Sequence, residues 1–285
     1  MKWILYVVLC LIWGSSFILM KEGLEAINPY HLALIRILSA GVVMLPLAFQ
    51  AFRKVPRPMI IPIVLSGLLG TFIPSFCFTI AQTKVDSSLA GIMNSLTPIF
   101  TVAIGALFFQ LKISWIKWLG MFLGFAGMMI LVLGNTGSIN TEHLGYSLFI
   151  ILATICYGLN VNVVTRFVKD AAPMHVAAIA FTSLIIPAVI ILGATGFFSS
   201  PQLLDGTWKT GIIAASTLGI VNTGLASVIF YLLVKKAGPV FSSTVTYGIP
   251  FIAIGWGLLD NEPFTILQLV ALMVILLGVR LANKE

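Results

Sequence analysis

Two stretches place hydrogen-bonding side chains and a proline in the middle of otherwise apolar runs. In Ser87–Phe100, Asn94, Ser95 and Thr97 precede Pro98; later, Ser242, Ser243, Thr244, Thr246 and Tyr247 precede Pro250. Proline has no N–H, so Pro98 frees the carbonyl of Asn94 and Pro250 frees that of Thr246. Inside hydrocarbon a freed carbonyl is costly unless it faces protein or a water-filled cavity. Paired, proline-interrupted apolar segments are the pattern of a transport site near the bilayer midplane. Isolated kinks are the plainer reading, but the two copies match in register.

Other residues fit the same chemistry. Trp13 and Tyr157 are each followed by glycine, with Ser15 and Ser16 beyond the first and Asn160 and Asn162 beyond the second. An aromatic beside a glycine can stack on a ligand or gate it, or simply fill a tight helix contact. The i,i+3 step puts Asn160 on the Tyr157 face. Ser75 and Ser227 form another pair, joined by Asn222, Thr223 and Tyr231; any one of these also serves as a hydrogen bond between helices. Arg36 is the charged side chain deep within a run, about 7.5 Å past His31 at helical rise. An intramembrane charge marks function by default. Arg36 suits a substrate carboxylate, or it fixes its own helix by pairing with carbonyls. His31 and His175 each follow a proline by two residues and read as helix-start residues, not as one metal site.

No Asp or Glu falls deep in an apolar run. The sequence also lacks a metal-ligand cluster, a phosphate-cradling glycine loop and a nucleotide motif. These absences speak against an ATP-driven pump and against an enzyme, and no cofactor or metal is expected. Cys10, Cys77 and Cys156 lie in apolar runs with neither metal nor disulfide spacing.

The elements that must position these groups are membrane helices. Of 285 residues, 59% are hydrophobic and 9% charged, and the mean hydropathy is +1.09, an integral membrane composition. Ten apolar segments are expected, at about 3–20, 31–52, 59–81, 88–109, 114–134, 144–165, 174–196, 210–234, 239–259 and 264–282. Connectors are short, the longest being 197–209, which leaves no room for a soluble catalytic domain. The first segment is too long for a signal peptide and is followed by Lys21 and Glu22 instead of a cleavage site.

The net charge of +7 is spread over connectors, so it indicates topology, not nucleic acid. Arg53, Lys54, Arg57, Lys112, Lys117, Arg166, Lys169, Lys235 and Lys236 fall in alternate connectors, on the side of Lys2, Arg280 and Lys284. Lys21, Lys84 and Lys209 fall on the other. The positive-inside rule then places both termini inside.

The chain also repeats. A shift of 144 residues superposes Trp13–Gly14 on Tyr157–Gly158, Pro29 on Pro173 and His31 on His175. A shift of 152 superposes Gly67 on Gly219, Ser75 on Ser227 and Pro98 on Pro250. Two five-helix halves, 1–137 and 138–285, are expected; an odd helix number makes the repeats inverted.

With these residues in view, the chain resembles the drug/metabolite transporter superfamily, in particular its EamA-type ten-helix members. The resemblance is carried by 13–36 (WGSSFILMKEGLEAINPYHLALIR), 95–100 (SLTPIF), 118–131 (WLGMFLGFAGMMIL), 157–167 (YGLNVNVVTRF), 247–254 (YGIPFIAI) and 276–281 (LLGVRL). It implies an inner-membrane carrier of amino acids or other small metabolites. It also implies a central cavity walled by helices 1, 3, 4, 6, 8 and 9, with 5 and 10 peripheral. Helix 2 then falls outside the lining, which favours a structural role for Arg36. Gln110 departs from the pattern where a glutamate usually follows the fourth helix; Glu262 keeps the acid at the paired place.

The expected protein is therefore a multi-pass transporter of the inner (plasma) membrane, moving small metabolites, with amino acids moved outward as the leading case. Trp13, Ser75, Asn94, Pro98, Tyr157, Asn160, Asn222, Ser227, Thr246, Tyr247 and Pro250 are the expected substrate contacts, and Arg36 a possible charge partner. Amines, drugs, nucleosides and lipid-linked sugars are the alternative cargoes; a membrane enzyme or a channel is a more distant reading. The sequence leaves the oligomeric state open.

Overall fold

The structure, a computed structural model, describes residues 2–110, 114–134, 141–243 and 245–282. Lys112, Thr244, Lys284 and the expected junction at 137/138 lie outside the described residues, as do the side chains of Tyr231, Lys235, Ser242 and Ser243. Among the described residues there are helices and no strands. We name them α1 (Lys2–Ala26), α2 (Pro29–Lys54), α3 (Arg57–Ala81) and α4 (Ser87–Phe108), then α5 (Trp115–Gly134), α6 (Thr141–Phe167) and α7 (Pro173–Ala194). The last three are α8 (residues 209–243), α9 (Val245–Leu259) and α10 (Ile266–Ala282).

Among the described residues seven helices are long and apolar enough to cross a membrane; α5, α9 and α10 are apolar but shorter over their described side chains. Ile61, Phe108, Ile190 and Leu277 are exposed, as suits a surface whose solvent is lipid. The buried layer joins α1 to α10, with α5 entering through Met121 and α7 through Leu184, Ala188 and Leu192. The dominant contacts pair α5 with α10, α2 with α7, α3 with α6 and α1 with α8. Others pair α4 with α6, α1 with α9, α4 with α9, α2 with α8 and α3 with α7.

In lipid, helices hold together by close packing at small residues. The α5–α10 contact shows this: a Cβ added to Gly120 would lie 2.6 Å from the Gly278 carbonyl oxygen, and one on Gly278 2.5 Å from the Gly124 nitrogen. Backbone meets backbone there, and no described residue of α5 or α10 reaches the cavity described below.

Three local expectations change. α1 runs past 20 to Ala26, so Lys21 and Glu22 lie on the helix rather than after it. The expected connector at 235–238 is helical, and α8 continues through it to residue 243; Lys235, Lys236 and Ala237 are good helix formers. Third, only one of the two prolines interrupts its helix. α4 breaks between Asn94 and Thr97, whereas α9 is continuous through Pro250. Pro250 stands in the second turn of α9, where its missing N–H removes one bond near a helix start and the later N–H groups carry the helix on.

Candidate functional site

A cavity of about 300 Å³ lies at mid-length in the bundle. Trp13, Arg36, Ser75, Asn94, Tyr157, Asn160, Asn222, Ser227 and Thr246 line it; Pro98, Tyr247 and Pro250 do not. Tyr247 packs on the apolar core instead, and Pro250 is buried within α9. The Pro98 device works differently from expectation. The carbonyl of Asn94 that it frees accepts a hydrogen bond from the Thr97 hydroxyl at 2.9 Å, so the break satisfies itself, while the Asn94 side chain is left on the lining.

Two π-helical turns build the opposite walls: Leu68–Phe72 in α3 and Leu218–Leu225 in α8. Such turns widen a helix and recur at functional sites. They bring Gly70 and Thr71 to the lining on one side and Asn222 and Thr223 on the other. Sequence reading missed Gly70, Thr71 and Ser66. The available signal was the run Ser66–Gly67 to Gly70–Thr71, small and polar residues amid apolar ones.

Trp13 and Asn222 lock two helices together. The indole Nε1 of Trp13 donates to the Asn222 carbonyl at 2.9 Å, and the Asn222 amide donates back to the Ile12 carbonyl. The indole N–H of Trp13 is thus used in the wall, and its ring, 5.5 Å from that of Phe230, is what it offers a ligand. Ser227 donates to the Thr223 carbonyl at 2.6 Å. Asn162 does not line the cavity; it ties α6 to α4 by donating to the Thr101 carbonyl at 2.9 Å.

The wall also includes α2 and α7, contrary to the arrangement that the resemblance implies. Gly219 explains α2: a Cβ there would collide with the Arg36 carbonyl and the Ser39 hydroxyl. Without it, the α2 backbone rests directly on α8, and the long Arg36 side chain reaches the cavity. Its Nε donates to Thr223 Oγ1 at 3.3 Å, and that hydroxyl donates onward to the Leu218 carbonyl at 3.1 Å. Ala180, which occupies the matching place in the second half, lines the cavity too, with Val176, Ala177 and Phe181.

One end of the cavity is tied shut. Phe17 and Phe78 meet edge to face at 5.8 Å, and Gln82 Nε2 donates to the Phe17 carbonyl at 2.9 Å. Just beyond, Glu262 accepts from the N–H groups of Ser87 (3.0 Å) and Ser88 (2.9 Å) at the start of α4, and from Ser88 Oγ (2.6 Å). Lys21 Nζ bridges Glu262 at 3.0 Å and Asp260. Asn261, at φ 59°, makes the left-handed turn that swings Glu262 back, with the Glu262 N–H bonded to the Gly257 carbonyl at 2.8 Å. Desolvation alone would raise the Glu262 carboxyl; donation by Ser88, Ser87 and Lys21 outweighs it and holds the carboxyl below its ordinary value. His31 belongs to the same end as a helix-start residue. Its N–H is capped by Asn28 at 2.9 Å, and its ring lies 5.1 Å from those of Phe197 and Trp208.

A polytopic helical bundle around a polar pocket at mid-depth is the construction of a membrane carrier, and the comparisons agree. The EamA-like transporter family model matches residues 1–133 and 144–284. The chain belongs to that family, whose members carry small molecules across membranes. It is 25% identical to "Uncharacterized inner membrane transporter YedA" of Escherichia coli (strain K12) over 96% of this chain and 88% of that one. It is 27% identical to "S-adenosylmethionine/S-adenosylhomocysteine transporter" of Chlamydia trachomatis serovar L2 over 96% of this chain and 86% of that one. A solved structure described as "Crystal structure of protein" shares the fold at TM-score 0.63 and 16% identity, covering 98% of this chain and 95% of the other.

Proposed function

We propose that this protein is a secondary carrier of the inner (plasma) membrane that moves amino acids outward by alternating access. Its halves, 1–137 and 138–285, are inverted five-helix repeats, so that ten segments span the bilayer with both termini inside. The observation that carries this reading is the cavity itself: polar, at mid-depth, tied shut at the Lys21–Glu262 end, and reaching the first turns of α7 and α9 at the other. The helix pairing supports the repeat, because exchanging α1–α5 with α6–α10 maps the pairs α5–α10, α2–α7 and α4–α9 onto themselves. The same exchange turns α3–α6 into α8–α1, α4–α6 into α9–α1 and α2–α8 into α7–α3. By the charge pattern the tied end is the outer one, and the described state faces inward.

Counterflow in proteoliposomes tests the proposal: vesicles loaded with one unlabelled amino acid should accumulate the labelled one transiently. The effect should be saturable and absent without the internal load. A linear, unsaturable flux would instead indicate a channel, and no exchange from folded protein would refute amino-acid cargo. The chlamydial relative suggests the second cargo class to load, an amino acid joined to a nucleoside.

A further inference from the structure

The geometry points to Arg36 as the anchor for a carboxylate of the cargo, with Asn160 Oδ1 accepting from an N–H of the same molecule. This rests on the carrier reading and specifies its substrate: a small carboxylate bearing an amino group and an apolar side chain.

Three observations carry it. First, the cation is uncompensated. Among the described residues no Asp or Glu lines the cavity, and the acids that pair with Lys21 do not reach it. Arg36 uses Nε alone, on Thr223. Its terminal nitrogens have no partner, yet they are not among the buried unbonded atoms, so they open on the cavity. A guanidinium with one edge fixed and its end free presents the parallel N–H pair that a carboxylate fits.

Second, Asn160 Oδ1 is a buried acceptor without a donor, and the amide is pressed onto Gly70, where an added Cβ would lie 2.5 Å from Nδ2. An unmet buried acceptor is costly, and a turn of the Asn160 side chain, which lines the cavity, brings Oδ1 to a cargo N–H and relieves it. Arg36, Tyr157 and Asn160 line the same cavity, so cation and acceptor serve one pocket.

Third, beside its serines, threonines and asparagines the lining has an apolar and aromatic part: Trp13, Phe17, Phe78, Phe181 and Ile249. The volume lies at the small end of the ~300–1,000 Å³ usual for small-molecule sites. An organic cation would meet Arg36 with no acid to offset it. A phosphate shares the anion chemistry, but one guanidinium supplies few donors for three oxygens.

The test is counterflow of labelled L-phenylalanine in proteoliposomes, with half-saturation measured for four internal or competing probes: L-phenylalanine, L-phenylalaninamide, phenethylamine and phenyl phosphate. The anchor requires L-phenylalanine to act at least about tenfold more strongly than the amide and the amine, the size of a lost charge-assisted bond. Arg36→Lys, which keeps the charge, should raise half-saturation about tenfold while leaving the amide-to-acid difference in the same direction. Arg36→Gln should abolish that difference. If either variant fails to fold, the four-probe comparison on the unaltered protein decides. Equal exchange of phenylalanine and its amide overturns the anchor while leaving the carrier standing. Stronger exchange of phenyl phosphate overturns the carboxylate assignment. No exchange with any probe, from protein shown to be folded, overturns the carrier reading for this cargo class and the anchor with it.

Discussion

The two ends of the cavity are built from matching sequence and differ in closure. At the Lys21 end, Phe17 stands one turn past Trp13 and is 5% exposed; at the other, Val161 stands one turn past Tyr157 and is 45% exposed. The same helical offset from the same kind of aromatic thus puts a ring on the cavity in one half and an aliphatic side chain off it in the other. The charges differ in parallel. Glu262 caps α4 and pairs with Lys21, whereas its counterpart by the 152-residue shift is Gln110, an exposed residue at φ 56° after α4. The lesson is that closure here does not rest on apolar fit alone. One carboxylate, supplied by a left-handed turn, gathers two backbone donors, a hydroxyl and an ammonium, and among the described residues it stands at one end of the cavity.

Breaking the tie from its buried side should have the largest effect. Glu262→Ala leaves Ser87 and Ser88 without their acceptor and Lys21 with Asp260 alone, a loss of about 3 kcal/mol. Unfolding temperature and labelling of a Met20→Cys thiol from the Lys21 side would show it as a lower midpoint and faster labelling. Unchanged labelling would mean that apolar contacts hold that end by themselves.

Lys21→Ala should do less. The Lys21 side chain is 33% exposed, so its pairing is screened, and about 1 kcal/mol is expected. The same labelling assay reads it, with the effect shrinking as salt is added.

Supplying the missing acid sharpens the comparison from the other side. Gln110→Glu should favour closure of the opposite end by about 1 kcal/mol at most, slowing labelling of Ala177→Cys, on the lining at that end. Faster labelling would refute the idea that the acid's absence leaves that end open.

The smallest effect is a flat response to mild acid. The Glu262 carboxyl is held below its ordinary value of 4.5, so its contribution is complete above that value and is lost only as pH falls through the lower, folded one. Labelling of Met20→Cys, normalised at each pH to that of the unfolded protein to remove the falling thiolate fraction, should be constant from pH 7 to about 5 and rise below that. A rise already at pH 6 would point to a different titrating group.

The sequence by itself determined the membrane class, from composition, and the family, from the motifs at 13–36, 95–100, 118–131, 157–167, 247–254 and 276–281, because both are properties of the chain read locally. It also picked out most of the polar lining. Trp13, Ser75, Asn94, Tyr157, Asn160, Asn222, Ser227 and Thr246 were legible because a polar or aromatic side chain within a span stands out against its neighbours. Pro98, Tyr247 and Pro250 misled for a related reason: a proline's freed carbonyl is visible in sequence, but its partner is not, and Thr97 takes the one from Asn94. Only the tertiary structure decided that Arg36 enters the cavity, since that depends on Gly219 in a helix far along the chain. It alone decided that Glu262 meets Lys21 and the start of α4. Those partners are distant in sequence, and burial, not residue type, sets what each charge must find.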